Sequence, residues 1–293
     1  MGYVKRKRHN RAIVALSVLL AIWIVLAVTA GALMIASYTV EKTARVLPAY
    51  AREELTPVLE KEEWTEEDYA FLFRQTGLNR PALDELKKNS ADKAEYEKFQ
   101  DAFFYEGTVV HDMAAITTPH DYMDGKVSFP IAPLHDGDVI ISSSCHTFGW
   151  RNGHAALIVD AKRGITFESF TPTAPSGYGT VEWFSTCSNF MVLRLKEEYR
   201  AQTDPAEIAK SAQEKLMHVP YRLTVGIFFP KDQCKNGRTP TATHCAHIVW
   251  QAFKNFGYDV DSNGGAIVVP RDIARSPYFE VVQVNGFSVD KLW

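Results

Sequence analysis

The segment RTPTATHCAHIVWQAFKNFGYDVD, residues 238–261, places one cysteine, Cys245, between His244 and His247 at the front of an amphipathic helix. Three chemistries fit: a metal site, a nucleophile, or a core cysteine with polar neighbours. Cys245, Ile248, Val249, Ala252, Phe253 and Phe256 follow the i, i+3, i+4, i+7, i+8, i+11 spacing of one apolar stripe, which turns Cys245 toward the interior. Thr243 is the expected N-cap, and Lys254 with Gly257 marks the helix end. Cys245 then occupies the first turn, where unpaired N–H groups and the positive end of the helix dipole stabilise a thiolate and bind a developing oxyanion. His244 and His247 are one turn apart, but Cys245 lies about 100° round the helix from His244. A metal site would need Cys234 to complete it, and neither a CxxC pair nor HExxH is present. A buried core cysteine is the bland alternative, because free cysteine is often buried.

A nucleophilic cysteine needs a histidine to take its proton and a third group to hold the imidazole. Of nine histidines, His154 is the best placed, because in WRNGHAALIVD it leads an apolar strand directly after Gly153. The alternative is a hydrogen-bonded histidine at a strand edge. If HAALIV and ITFESF form a hairpin around DAKRG, pairing Val159 with Ile165 sets Ala156 opposite Glu168. Glu168 then becomes a diagonal neighbour of His154 on the same face, and a one-residue slip would remove it to the other.

The elements that must position these groups are short apolar runs divided by Gly, Pro and Asp. Strands are expected at 138–143 (DVIISS), 154–159, 165–170, 180–184 (TVEWF) and 190–195 (FMVLRL), with further strands at 267–269 and 279–284. Their short connections favour an antiparallel meander. A helix starts at Asp204 and Pro205, and 219–243 is irregular. Strands followed by helices indicate an α+β domain over residues 130–293. Residues 41–129 are rich in Glu, Lys, Ala and Leu and read as a helical stalk or cap, with Thr65 and Asp68 as a capping pair and Asn79 opening RPALDELKK.

With 46% hydrophobic and 23% charged residues, a 293-residue chain buries one substantial core. The net charge of −3 is uneven. Lys5, Arg6, Lys7, Arg8 and Arg11 take five of 32 basic residues, and the remaining 27 face 35 acidic ones, a net of −8 that argues against nucleic acid as partner. Residues 12–40 carry no charge and exceed the roughly 20 residues a bilayer core requires. They read as a transmembrane anchor behind a cytoplasmic basic segment, residues 1–11, with the catalytic domain on the far side. A cleavable signal peptide competes, with Val28, Thr29 and Ala30 as its small-residue site, but the apolar run is longer than a signal core of about 7 to 15 residues. Cys145, Cys187, Cys234 and Cys245 do not describe a disulfide scaffold, although one bridge among them is compatible with that location.

The order GDVI, GHAALIV, FES, PY, THCAHIVWQAF, GYDVD, VPRDIARSP resembles the circularly permuted members of the NlpC/P60 superfamily of papain-like cysteine hydrolases, the YiiX/YebB-like permuted amidases. The resemblance covers about residues 130–284. It implies a permuted papain-like α+β fold with Cys245 as nucleophile, His154 as general base, Glu168 as third member and Tyr221 lining the site. It also implies hydrolysis of a peptide or γ-glutamyl-type amide through a thioester, without cofactor or metal, and the outward location suggests cell-wall peptide as substrate. A thioester-forming acyltransferase acting on lipid or amine acceptors, and a binding module without turnover, are the alternatives. His244 departs from the family, which usually has Tyr or a small residue there, and is expected to face solvent. Cys145 and Cys187 read as loop thiols, Phe148 and Trp150 as the pocket mouth or loop packing, and Asp136 and Asp138 as turn residues.

Overall fold

The apolar run Ile13–Ile35 forms 23 residues of one helix, α1 (Gly2–Glu41). At 1.5 Å per residue it is about 35 Å long, enough for a hydrocarbon core of about 30 Å. Its side chains stand open, Leu16 at 72% and Trp23 at 70% exposure. The structure, a computed structural model, describes residues 2–41, 44–114, 117–147, 150–238 and 240–290. Phe148 and the side chains of Lys5, Arg6, Lys7, Arg8 and Arg11 lie outside the described residues.

Beyond α1 the order is α2 (Thr56–Leu59), α3 (Glu66–Thr76), α4 (Arg80–Lys88), α5 (Lys93–Phe103), β1 (Val109–Ala114), β2 (Thr117–Met123), β3 (Val139–Ser142), β4 (His146–Thr147), β5 (His154–Asp160) and β6 (Ile165–Glu168). There follow β7 (Gly177–Thr180), α6 (Val181–Thr186), β8 (Phe190–Leu195), α7 (Glu197–Arg200), α8 (Pro205–Leu216), α9 (Cys245–Lys254), α10 (Pro270–Ala274) and β9 (Phe279–Asn285). This is a mixed α+β protein with two antiparallel sheets, one of six strands in the order β7-β6-β5-β3-β8-β9 and one of three in the order β1-β2-β4.

The large sheet is covered on both faces, which explains why its strands read as continuous apolar runs. Val139, Ile141, Ala155 and Leu157 pack with Ile208, Ile248, Val249 and Phe253 of α8 and α9. Ile140, Ala156 and Ile158, the alternate residues, pack with Leu72, Leu83 and Phe99 of α3 to α5. Residues 56–103 are therefore a layer of the domain and not a stalk standing apart from it. The caps that start these helices are those of the sequence: Thr65 and Asp68 form a capping box, Asn79 caps α4 and Asp204 caps α8. The chain leaving α1 is clamped to this body, because half-buried Arg45 donates to Ser188 O (2.8 Å), Ala102 O (2.7 Å) and Asn285 Oδ1 (3.1 Å).

Four expectations are corrected. Residues 109–114 and 117–123, inside the expected helical segment, are the paired strands β1 and β2. TVEWF is not a strand: β7 ends at Thr180 and residues 181–186 turn as α6. A strand would send Trp183 and Phe184 to opposite faces, whereas both rings reach His154, at 5.3 and 5.5 Å. Residues 267–269 form no strand, because Val269 instead precedes Pro270, which opens α10. The N-cap of α9 is His244, not Thr243. Thr243 is held in extended pairing with the 220–222 segment, donating to Pro220 O (3.0 Å) and accepting from Arg222 N (2.7 Å), so the helix begins one residue later.

Candidate active site

His154 is the first residue of β5, paired with Ser142 of β3. It follows Gly153, whose φ of +68° turns the chain into the strand and whose N–H donates to Cys145 O (2.9 Å). β5 and β6 pair Leu157 with Phe167 and Ile158 with Thr166, and a bulge after Ile158 absorbs the turn. That register sets Thr166 and Glu168 on the face of His154. The Glu168 carboxylate accepts a hydrogen bond from His154 Nε2, with Thr166 Oγ1 at 3.5 Å from its other oxygen. Glu168 reaches that position across bare backbone: a Cβ at Gly179 would lie 1.6 Å from Glu168 Oε1. By contrast, a Cβ at Gly177, two residues earlier on the same strand, would meet open space.

Cys245 opens α9 and packs partly buried against the apolar core on the other side of the sheet. It lies close enough to His154 to favour the charged imidazole, so helix tip and strand tip meet at one end of the sheet. With Nε2 engaged by Glu168, the remaining nitrogen, Nδ1, is the one left for sulfur. Burial would lower the His154 imidazole, which is 2% exposed, but the Glu168 charge, the neighbouring Cys245 and the hydrogen bond to Glu168 outweigh it and raise His154 to about 9. Phe170 stands edge-on at 4.7 Å and Phe184 lies nearly parallel at 5.5 Å, so aromatic rings fill the space around the pair.

Tyr221 joins the site through its bridge to Thr243, and burial followed by the nearby Cys245 raises its phenol. Cys145 lies buried beside Cys187 and Cys245, and burial raises its thiol well above the ordinary range. Cys187, also buried, is pushed up to about 12 by burial and donates to Trp183 O at 3.4 Å. None of the four cysteines forms a disulfide. His244 does not face solvent as expected. It is 2% exposed and is pushed down to about 3, chiefly by burial and then by His247. Its Nδ1 accepts from His247 N (3.4 Å), which leaves the proton on Nε2. His247 is equally buried, between Thr243 Oγ1 (2.9 Å) and Lys231 O (2.7 Å). His247 is thus held by helix and loop, while His244 Nε2 is buried with no hydrogen-bond partner among the described residues.

Trp150 is 51% exposed on the loop before His154. Asp136 accepts from Ala161 N (2.7 Å) and Asp138 from His135 N (2.8 Å), as turn residues do, but Asp138 also pairs with Arg194. A cavity of about 620 Å³ between Asp136, Asp160, Arg194 and Pro205 lies at the opposite end of β5 and includes no residue of the His154 cluster. Neither the aromatic enclosure nor the role of Gly179 follows from the sequence patterns above. The GYG on the strand beside Glu168 is the available signal for the second. No protein-family model, curated protein or solved structure matches this chain.

Proposed function

We propose that this chain is a membrane-anchored cysteine hydrolase of circularly permuted papain-like fold that cleaves amide bonds. The observation that carries the reading is that buried His154 hydrogen-bonds Glu168 and has Cys245 beside it. His154 takes the Cys245 proton at Nδ1, and Glu168 fixes the ring through Nε2 and stabilises the imidazolium. The thiolate attacks the amide carbonyl, and the Cys245 N–H at the start of α9 serves the oxyanion. The imidazolium protonates the departing amine, leaving a thioester that water, deprotonated by His154, resolves to acid and thiol. Tyr221 lines the pocket. The basic residues of α1 ahead of its apolar run favour an outward catalytic domain. A peptide or γ-glutamyl-type amide, as in cell-wall peptide, is the substrate class that fits this location.

Acyl transfer to a lipid or amine is the second reading, favoured by the aromatic enclosure of His154, which keeps water scarce around the thioester. Alkylation of the full chain in detergent tests the shared chemistry. Iodoacetamide at neutral pH should label Cys245 at least about 10-fold faster in wild type than in His154→Ala. Equal rates would sink both readings and leave a binding module. If the rates differ, the fate of a trapped acyl-enzyme, resolved by water or by an added amine, separates hydrolase from transferase.

A further inference from the structure

The three-stranded sheet buries ionisable groups beside an apolar one. Among its described side chains the buried ones are Asp121, Met123 and His146, with His111 22% exposed along its side chain. His111 and Asp121 are direct partners across β1 and β2, and His146 lies on β4, on the other side of β2. His111 Nδ1 is 2.7 Å and His146 Nε2 3.7 Å from the same atom, Asp121 Oδ1, and all three ligand atoms lie within 4.8 Å of one another.

Two imidazoles and one carboxylate converging from three strands are the donor set of a borderline divalent cation. Tetrahedral zinc, with bonds of about 2.0 to 2.1 Å, sets its donors about 3.3 Å apart. The triad reaches that spacing by small side-chain shifts, since one pair is slightly closer and another slightly wider. Arg151 Nη1 donates to the other carboxylate oxygen, Oδ2, at 2.8 Å, and to Ser143 O at 2.8 Å. It thereby fixes Asp121 for one-oxygen ligation, as outer partners of metal ligands do. A small sheet that buries ionisable groups in this way is the kind of unit that a metal consolidates.

We propose that His111 Nδ1, His146 Nε2 and Asp121 Oδ1 bind a zinc ion, with water in the fourth position, that staples the small sheet to the loop leading into His154. His111 binds as the neutral ring with its proton on Nε2. The link to the loop is direct: His146 follows Cys145, whose carbonyl holds the Gly153 N–H one residue before His154. The site is separate from Cys245, and it stands whether or not that thiol is a nucleophile.

The test uses the full chain in detergent, stripped of metal and titrated with Zn²⁺ and, for its visible spectrum, Co²⁺. One equivalent should bind per chain, giving the intense visible bands of four-coordinate Co²⁺ and a higher melting temperature. His111→Gln, at a partly exposed position, should weaken binding more than about 100-fold with the fold intact by circular dichroism. His146→Gln should do the same, and Cys245→Ala should bind as wild type does. No saturable binding by wild type, binding retained in folded His111→Gln, or binding lost in Cys245→Ala would each overturn the proposal.

Discussion

β5 buries a charged pair at each end. At its C-terminal end Arg194 donates to Asp138 through Nε at 2.9 Å and Nη2 at 2.7 Å, with both side chains 3% exposed. At its N-terminal end His154, 2% exposed, meets Glu168. The first pair extends only to further fixed partners, with Arg194 Nη1 3.4 Å from Glu85 Oε2. Pro133 O and the His135 N–H occupy the remaining positions, and a guanidinium releases no proton in the accessible pH range. The second pair contains an imidazole, raised to about 9, that keeps one ring nitrogen for a sulfur. Burial and ion pairing are common to both ends, so neither marks a reactive site. What separates them is a titratable member with an unspent hydrogen-bonding position facing a cysteine thiol.

Breaking the Arg194 end should cost most in stability and nothing in reactivity. Arg194→Ala leaves Asp138 buried and unpaired, and about 3 to 5 kcal/mol should be lost in urea unfolding, while iodoacetamide labelling of Cys245 under native conditions stays as in wild type. A change in labelling would show that the two ends are coupled and would blur the comparison.

The reactive end should reveal itself through pH. His154 is raised to about 9 from an unfolded value of about 6.5, so its contribution is fully present below pH 6.5 and disappears as pH rises through 9. The span corresponds to about 3 kcal/mol. Melting temperatures of wild type and His154→Gln should converge across that window, and a constant difference would refute the assigned protonation. The Arg194 pair should show no such window.

The smallest change separates two glycines of β7. Gly179→Ala places a methyl where Glu168 Oε1 lies and should slow Cys245 labelling on the order of 10-fold, whereas Gly177→Ala, facing open space, should leave it unchanged. Equal effects at both positions would mean that the Glu168 contact with Gly179 does not position His154.

Much of this arrangement is legible in the order of the amino acids. Strand alternation and the DAKRG turn specify the Leu157–Phe167 register, and with it the shared face of His154 and Glu168. Side-chain caps at Thr65, Asn79 and Asp204 are local chemistry and are readable as such. Sequence and fold part where a local preference meets a competing tertiary demand. Val181, Trp183 and Phe184 have strand preferences, yet covering His154 from one side requires a helical turn. Thr243 is the better cap by type, but its backbone is taken by the 220–222 segment and its hydroxyl by His247. His244 has the polarity of an exposed residue, yet it is buried because the helix it caps begins inside the protein.

The amino-acid order alone determined the apolar helix, because a run without charges is a property of composition, and the apolar strands of the large sheet, because each is a short run of Val, Ile, Leu and Phe between turn residues. It also determined that Cys245 starts a helix with its side chain turned inward. Tertiary structure decided which histidine the thiol meets, since the tips of β5 and α9 are 91 positions apart along the chain and only sheet packing brings them together. It likewise decided that His111, Asp121 and His146 converge. Their spacing matches no local motif, and three strands have to pair before their ligand atoms share one small volume.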